Sequence, residues 1–408
     1  MPVKSDQSTE LAVQWITSFD VGEEILRHKS FREVTFKGLI PLVGQVIVTL
    51  EGPAHRERRL IGSKLFASLR LKAAEDSFIA DFTRRVVAKA AAQNRVDLVP
   101  LSYSLMAQTA GRLIGLDGLS SEDTAAEATY LLSALVSGTQ AHQPGRPSYT
   151  RRAARDELRN RFIDPAIARR RNILALHQAG RLSTGDLPSD LITLLLLHTT
   201  QAERKWDTRQ IAGEVAFYAV AAIDTTASLA PHLFHHLYEY SRTNPAQPLA
   251  LANPYFIRLA AAEALRLHPA IPTIFRQATG PVKLKNGLTF ETGQTAGIYI
   301  KETNRDPAVF GHDPDQFKPG RIIQAKTYRA GLSFGGGSHL CLGRELAVGT
   351  PEQAAFDSGN SGTELFGVAA ILVQSLFEHN ARPDPAHPIP ELSPYARDVY
   401  HSYPVIFG

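Results

Sequence analysis

The chain contains one cysteine, Cys341, in a glycine-rich loop at residues 334–343, Phe-Gly-Gly-Gly-Ser-His-Leu-Cys-Leu-Gly. A lone cysteine cannot form an internal disulfide, so its role is packing, metal ligation or nucleophilic chemistry. Most buried cysteines pack as small hydrophobes. Here, however, the preceding glycines can direct several backbone N–H groups at one sulfur, which stabilises a thiolate and tunes any metal that it binds. Gly343 lets the helix predicted from Arg344 begin close to a large planar group. The loop therefore favours a ligated thiolate.

This segment is similar to the haem-thiolate signature of cytochromes P450, Phe-x-x-Gly-x-His/Arg-x-Cys-x-Gly, which it matches position for position. The resemblance implies that Cys341 is the ligand of the iron in haem b, that Phe334 packs beside it and that His339 lies near a haem propionate. It also implies the fold class, a mainly α protein with small β-sheets. One large domain, residues 1–408, is expected to hold the haem between a long distal helix and the helix after the cysteine loop.

Composition limits the alternatives. The 408 residues are 44% apolar and 21% charged, as in an ordinary globular protein, and the formal net charge is only +4. Basic residues are not interleaved with aromatic ones, which argues against nucleic-acid binding. A single cysteine fits a reducing compartment. Residues 1–10 are polar and do not resemble a signal peptide, and the longest nearly apolar run, residues 38–50, is too short to span a bilayer. The sequence predicts a soluble, cytoplasmic protein without a membrane span.

A second pair, His55 and Arg59, lies in a predicted helix that begins at Gly52. Residues four apart share one helical face, where this pair can clamp an anionic group. On these residues alone, a solvated basic helix start is the simpler interpretation. In the resembled family a His-x-x-x-Arg pair binds a haem propionate, and with the cysteine loop this role is favoured for His55 and Arg59.

The longest helical pattern covers residues 209–238 and contains Asp224-Thr225-Thr226 in an apolar interior. Threonine can hydrogen-bond to the carbonyl four residues earlier, here that of Ala221, and so bend a helix. A break in the helix is an equally good interpretation of these residues alone. The resemblance identifies the segment as the distal helix, with Asp224 and Thr225 as the catalytic acid-threonine pair. His232, His235 and His236 follow without metal-ligand spacing and are interpreted as surface or core histidines.

Glu263 and Arg266 are three apart in a predicted helix, residues 256–267, with apolar flanks that imply burial. The resemblance gives this pair a structural role behind the haem, joined by Arg321. Next, a predicted strand at residues 271–277 carries Arg276, which the family directs at a propionate. Weak candidates for the substrate pocket lie in this strand and in the distal helix: Phe217, Val220, Ala221, Ile271, Ile274 and Phe275.

Other segments are predicted from local composition. Residues 13–16 favour a strand and 21–28 a short helix, whereas residues 32–50 suggest a mobile loop, with Phe36, Leu39, Ile40 and Val43 as weak substrate contacts. Helices are predicted over residues 73–118 and 120–205, with a break at 143–147 and a solvated charged face at 151–171. Residues 282–300 predict hairpin strands. The turn-rich residues 348–362 should interrupt the helix after the cysteine and form an insertion. The N-terminal β-rich lobe is expected to be short.

Together these elements predict a haem-thiolate monooxygenase. The resemblance implies that one oxygen atom from O2 enters a hydrophobic small molecule, as in secondary metabolism, with electrons from a separate ferredoxin- or flavodoxin-type donor. Thr225 and Asp224 would deliver protons, and their presence disfavours a peroxide-using enzyme, which typically carries an arginine-proline pair there. The alternatives are a peroxide-using or rearranging enzyme of the same family and a haem-binding protein without turnover.

Overall fold

A computed structural model describes residues 12–137, 150–201, 206–244, 253–324, 327–350, 364–387, 391–392 and 397–408. Its α-helices in the first half are α1 (Phe19–Arg27), α2 (Ile40–Val43), α3 (Gly52–Leu65), α4 (Ser68–Ala74), α5 (Ala80–Ala91), α6 (Leu98–Ile114), α7 (Glu122–Ser137), α8 (Arg151–Leu158), α9 (Asp164–Gln178) and α10 (Leu191–Gln201). They continue with α11 (Thr208–Thr243), α12 (Pro254–Leu267), α13 (Ile300–Thr303), α14 (Pro307–Phe310), α15 (Arg344–Val348) and α16 (Val368–Glu378).

The strands form small sheets. They are β1 (Gln14–Ile16), β2 (Phe31–Glu33), β3 (Arg95–Asp97), β4 (Thr273–Ala278), β5 (Val282–Lys283), β6 (Thr289–Phe290), β7 (Thr295–Tyr299), β8 (Arg382–Pro383), β9 (Glu391–Leu392), β10 (Tyr400–Ser402) and β11 (Pro404–Ile406). The largest sheet has the order β1-β7-β4-β2, in which only the β1–β7 pair is parallel. The predicted hairpin is present as β5–β6. The mainly α architecture with small sheets is therefore confirmed.

Helix α11 is the axis of the helical core. It begins at a capping box, in which Asp207 accepts from the Gln210 N–H and the Gln210 side chain accepts in return from the Asp207 N–H. The helix packs against α6, α12 and α16 and is buried along most of its length. Pro231 lies inside it and removes one backbone donor. The prediction that this is the longest helix is confirmed.

Residues 32–50 are not the loose loop that their glycine and proline content predicts. They form α2 and two 3₁₀ turns, Lys37–Leu39 and Ile47–Thr49. Val46 and Ile47 are buried, and the Ile47 N–H donates to Glu214 Oε1 of α11 at 3.0 Å. That prediction was wrong because apolar residues three or four apart hold the segment on α11, a long-range contact that outweighs local composition.

The charged stretch 151–171 is mostly a solvated face, with one clear exception. Arg170 is buried, and its guanidinium donates to Asp190 at 2.8 Å and forms a second ion pair with Asp117. Desolvation acts to raise the pKa of Asp117, but the hydrogen bonds and positive charges of Arg170 and Arg169 together hold it below its ordinary value. This arginine joins α9 to the segments before α7 and α10.

The helix after the cysteine loop ends early, as predicted. Helix α15 stops at Val348, and Gly349 follows with φ of +84°. The Thr350 N–H donates to the Leu365 carbonyl at 3.0 Å, and the Leu365 N–H donates back to Thr350 Oγ1 at 2.9 Å. The predicted insertion itself, and the predicted break at residues 143–147, lie outside the described residues. Among the helices described, none combines the length and apolarity needed to cross a bilayer.

Candidate functional site

The cysteine loop lies directly on α1. Gly335 and Gly337 have φ of +69° and +64°, which glycine adopts without strain. A Cβ at Gly337 would lie 2.3 Å from the Leu26 carbonyl oxygen, so no other residue fits there. The Cys341 N–H donates to the Phe334 carbonyl at 3.0 Å and closes the loop. The glycines before the cysteine therefore permit the loop backbone to lie close to the backbone of α1.

Cys341 is exposed, although neighbouring protein atoms reduce the solvation of its thiol. Desolvation raises the pKa of its thiol, while the Gly343 N–H and the positive charges of Arg344 and Arg59 act in the opposite direction. The backbone contribution that favours the thiolate comes from Gly343, after the cysteine. The sulfur is accessible to a ligand, and the positive charges around it favour its ionised form.

Helix α3 brings Arg59 to the cysteine. The negative charge of a Cys341 thiolate raises the pKa of Arg59, although desolvation has the larger effect and lowers it. One turn later, Gly62 of α3 contacts both α11 and the cysteine loop. A Cβ at this position would lie 2.3 Å from the Tyr218 hydroxyl of α11 and 2.8 Å from Leu342 of the loop. Within the described ranges Arg59 forms no ion pair with a carboxylate, so its charge is available to an anion.

His55 and His339 stack with ring centroids 4.2 Å apart. His55 is buried, and desolvation together with the charges of His339 and Arg59 lowers its pKa to about 4. His339 faces Glu51, whose Oε1 is 3.3 Å from Nε2. The structure thus places His55, Arg59 and His339 together, but His55 is neutral at physiological pH. It can offer a hydrogen bond to an anion, and the positive charge comes from Arg59.

Arg276 approaches the same region from β4. It is buried, and its Nη1 lies 3.4 Å from Glu33 Oε1 and 3.1 Å from the Phe275 carbonyl. Burial raises the pKa of Glu33, whose Oε2 has no hydrogen-bond partner among the described residues. An anion that reaches Arg276 would therefore share it with Glu33, which sequence reasoning missed because the two residues are 243 positions apart.

The middle of α11 has a distinct surface. Between two buried parts of the helix, a short stretch has partly exposed residues: Phe217, Val220, Ala221, Ala222, Asp224 and Thr225. The Thr225 hydroxyl donates to the Ala221 carbonyl at 2.7 Å, which confirms the bond predicted from the sequence. These residues are accessible in the middle of the helix, and they include the predicted acid-threonine pair.

Asp224 is held by two side chains that the sequence did not indicate. The Tyr103 hydroxyl of α6 donates to Oδ1 at 2.6 Å, and Arg397 forms an ion pair with Oδ2. Arg397 also reaches Ser228 Oγ at 3.4 Å, and Ser228 donates to the Thr225 carbonyl at 3.1 Å. Burial and the neighbouring carboxylate raise the pKa of Tyr103, so its hydroxyl remains a donor. The carboxylate is therefore fixed in orientation.

The predicted structural triad is present. Glu263 and Arg266 are fully buried and form two hydrogen bonds of 2.8 Å, while Arg321 Nε donates to Glu263 Oε1 at 3.1 Å. Arg266 also donates to the carbonyls of Asn304 and Pro314, each at 2.7 Å. Because every charge has partners, the buried triad is tolerated.

The weak pocket candidates do not all share one surface. In β4, Ile274 is buried beside Gly335 on the same face as Arg276, whereas Phe275 points to the opposite face, with its ring 5.9 Å from that of Trp15. Of these two residues, therefore, only Ile274 can line a pocket beside Arg276. Ile271 packs at the edge of the β-sheet core. Phe217 contacts Phe36, with ring centroids 6.5 Å apart, which brings the segment before α2 to the middle of α11.

The three histidines of α11 serve packing, as predicted. His232 Nε2 is 2.6 Å from the Asp398 carbonyl, His235 Nδ1 is 3.0 Å from the Tyr403 hydroxyl, and His236 Nε2 is 2.9 Å from His268 Nε2. Desolvation lowers the pKa of all three. No group of histidine, cysteine and carboxylate side chains suited to a metal ion occurs in the described part of the chain.

The residues present fit a planar, anionic cofactor that carries a metal. Cys341 offers one soft ligand with accessible surface, and Gly343 leaves room, since a Cβ there would only touch the Phe66 ring at 3.5 Å. Arg59 offers positive charge that no described carboxylate neutralises. The partly exposed stretch of α11 offers small side chains at Ala221 and Ala222. This donor set, one thiolate with nearby cations, is that of a haem site.

Comparisons with known proteins agree with this arrangement. The family model described as Cytochrome P450 matches residues 255–349, from α12 through the cysteine loop and α15. The cyclooctat-9-en-7-ol 5-monooxygenase of Streptomyces melanosporofaciens is 27% identical over 337 residues, which cover 75% of this chain and 70% of the relative. Human cytochrome P450 4F2 is 28% identical over 222 residues, which cover 48% of this chain and only 42% of the relative.

Solved structures extend the likeness to the whole fold. The crystal structure of P450BioI in complex with hexadec-9Z-enoic acid ligated acyl carrier protein superimposes with a TM-score of 0.70 at 18% identity. That match covers 96% of this chain and 91% of the other. At this identity the likeness concerns the fold alone.

Proposed function

The chain belongs to the cytochrome P450 family, and from this premise we propose that it is a monooxygenase that inserts one oxygen atom from O2 into a hydrophobic small molecule. The observation that carries the proposal is that two accessible surfaces occur together in this chain. One is the accessible thiol of Cys341 on its glycine loop, and the other is the partly exposed stretch of α11 with Asp224 and Thr225.

We propose haem b as the cofactor. Cys341 would be the metal ligand, Gly343 its hydrogen-bond donor, and Phe334 would pack beside it. Arg59 and His339, with neutral His55, would hold one propionate, and Arg276 would share the other with Glu33. When bound, haem supplies the activation of dioxygen, for which a thiolate ligand favours cleavage of the O–O bond.

Thr225 and Asp224 would transfer protons from solvent to the site. The Thr225 hydroxyl donates to the Ala221 carbonyl, which leaves its oxygen lone pairs free to accept from a water molecule. Asp224 is partly exposed and can exchange protons with solvent, while Tyr103 and Arg397 hold its carboxylate in one orientation. A fixed carboxylate on the residue before an accepting hydroxyl supports a proton relay toward the partly exposed stretch of α11.

Asp224→Asn is therefore expected to lower coupled turnover by about 10²-fold, within the range of general acid–base catalysis. Tyr103→Phe removes one hydrogen bond to the same carboxylate and should have a smaller effect, about three- to tenfold. Both changes should lower the product formed per reductant consumed and raise the solvent deuterium isotope effect. Glu239→Gln, on the exposed end of α11, is the control. Equal turnover in Asp224→Asn and Glu239→Gln would remove Asp224 from the relay.

Electrons are proposed to come from a separate ferredoxin- or flavodoxin-type protein. The substrate class is supported by apolar side chains on the partly exposed stretch of α11, namely Phe217, Val220 and Ala221, and by Ile274 of β4. The Streptomyces relative is by name a monooxygenase of the cyclic alcohol cyclooctat-9-en-7-ol, which supports a hydrophobic substrate of secondary metabolism. A peroxide-using or rearranging enzyme is the second candidate, but the acid-threonine pair argues for a reductant-driven reaction.

The test is the CO difference spectrum of the reduced, haem-loaded protein. A thiolate ligand is expected to give a red-shifted Soret band, a property of the haem–thiolate bond. A band at the position seen with histidine-ligated haem would refute the proposal. A spin-shift screen of terpenoids, steroids and polyketides would then identify the substrate.

A further inference from the structure

A pocket of about 210 Å³ lies away from the cysteine loop, between α2, the end of α8 and the first half of α11. One side of it is cationic, and the other is apolar. The cationic lining residues are Arg155, Arg159 and Arg209. The apolar ones are Leu42, Val43, Ala212 and Ala216, with Gly213 between the last two.

The three guanidinium groups are incompletely paired. Arg155 binds Asp156 and Arg159 binds Asp164 at 3.1 Å, but neither carboxylate lines the pocket. Arg159 Nε is buried and has no hydrogen-bond partner in the part of the chain that is described. Arg209 is exposed and, within the same described ranges, forms no ion pair. The pocket therefore has positive charge and at least one buried donor available to a ligand.

Helix α11 adds to this charge, because Arg209 lies in its first turn, where the helix dipole also favours an anion. The apolar wall is tightly packed, since a Cβ at Gly213 would lie 2.1 Å from the Val43 carbonyl oxygen. The backbones of α2 and α11 thus touch, and Val43 and Ala216 are buried at the contact. An apolar wall opposite three arginines is complementary to a molecule with an apolar body and one anionic group.

We propose that this pocket binds the carboxylate of the substrate, which is accordingly a hydrophobic small molecule with a carboxylate group. This assignment rests on the proposed function. Ala212, Ala216 and Val220 are four residues apart and share one side of α11, so an apolar chain anchored at the arginines would run along this side of the helix toward Val220, on the partly exposed stretch. At 1.5 Å per residue, Thr225 is about 14 Å along the helix from Ala216.

The experiment is isothermal titration calorimetry of the haem-loaded protein with dodecanoate and with dodecanol, which differ only in the head group. Dodecanoate is expected to bind about tenfold more tightly or better, and added salt should reduce that preference. Arg209→Gln should weaken dodecanoate binding about three- to tenfold and leave dodecanol unchanged. Arg242→Gln is the matched control, since Arg242 lies at the other end of α11 and is similarly exposed. Dodecanoate should also shift the Soret band of the holoprotein.

Equal affinity for the two ligands, or equal effects of Arg209→Gln and Arg242→Gln, would overturn the proposal. Binding that leaves the Soret band unchanged would overturn the assignment as a substrate site. A failure of the proposed function can be distinguished from a failure of this site. In that case the CO difference spectrum of the same preparation would lack the thiolate band, while the protein would still bind dodecanoate more tightly than dodecanol.

Discussion

Cys341→Ser is expected to abolish the red-shifted band of the reduced, CO-treated protein and to abolish reductant-driven turnover. A serine hydroxyl remains protonated at neutral pH and is a poor ligand for the metal, whereas a thiol can lose its proton on metal binding. The surroundings of Cys341 assist that loss, because the Gly343 N–H and the charges of Arg344 and Arg59 all favour the thiolate against the opposing effect of desolvation. The measurement is the CO difference spectrum with haem content determined in parallel.

Ser338→Ala is the matched control for this prediction. Ser338 lies in the same loop, is exposed and is expected to contact neither the cofactor nor the rest of the fold. Its variant should keep the spectrum and the haem content, while circular dichroism verifies that both variants are folded. A red-shifted band that survives in Cys341→Ser would show that another group binds the iron, and the proposed site would then be wrong.

The sequence predicts those parts of the site in which the interacting groups are only a few residues apart. Cys341 lies within ten residues of the glycines that shape its loop, and Thr225 bonds to a carbonyl four residues earlier. Such spacings are visible in a sequence because the backbone alone brings the groups together. The burial of Glu263 and Arg266 was likewise predictable from their apolar flanks.

The partners of these residues could not be predicted in the same way. Tyr103 and Arg397 bind Asp224 from 121 and 173 positions away. Their contacts depend on how α6 and the C-terminal segment pack on α11, which local spacing does not encode. The same reason explains residues 32–50, where glycine and proline suggest a loop but contacts with α11 determine a packed segment. Tertiary packing therefore supplies the orientation of groups whose identity the sequence already indicates.

The largest effect on stability is expected from Arg266→Ala, which should lower the free energy of unfolding by about 3–5 kcal/mol, because it leaves a buried carboxylate without its main partner. Glu263 is completely buried, and only Arg321 and the Lys318 N–H would remain to satisfy it. The carbonyls of Asn304 and Pro314 would also lose their donor. Chemical denaturation of the haem-free protein, followed by circular dichroism, measures the loss.

The exposed pair Glu239–Arg242 provides a control with the same spacing of three residues. Arg242→Ala should cost less than about 1 kcal/mol, because solvent screens the pair and replaces the lost contact. The buried triad also supports the site, since Asn304 joins the Arg266 carbonyl to the Leu332 N–H and to Ser333, directly before the cysteine loop. Arg266→Ala should therefore weaken haem retention as well as stability. If it costs no more than Arg242→Ala, burial does not strengthen the triad, and the loop is held by other contacts.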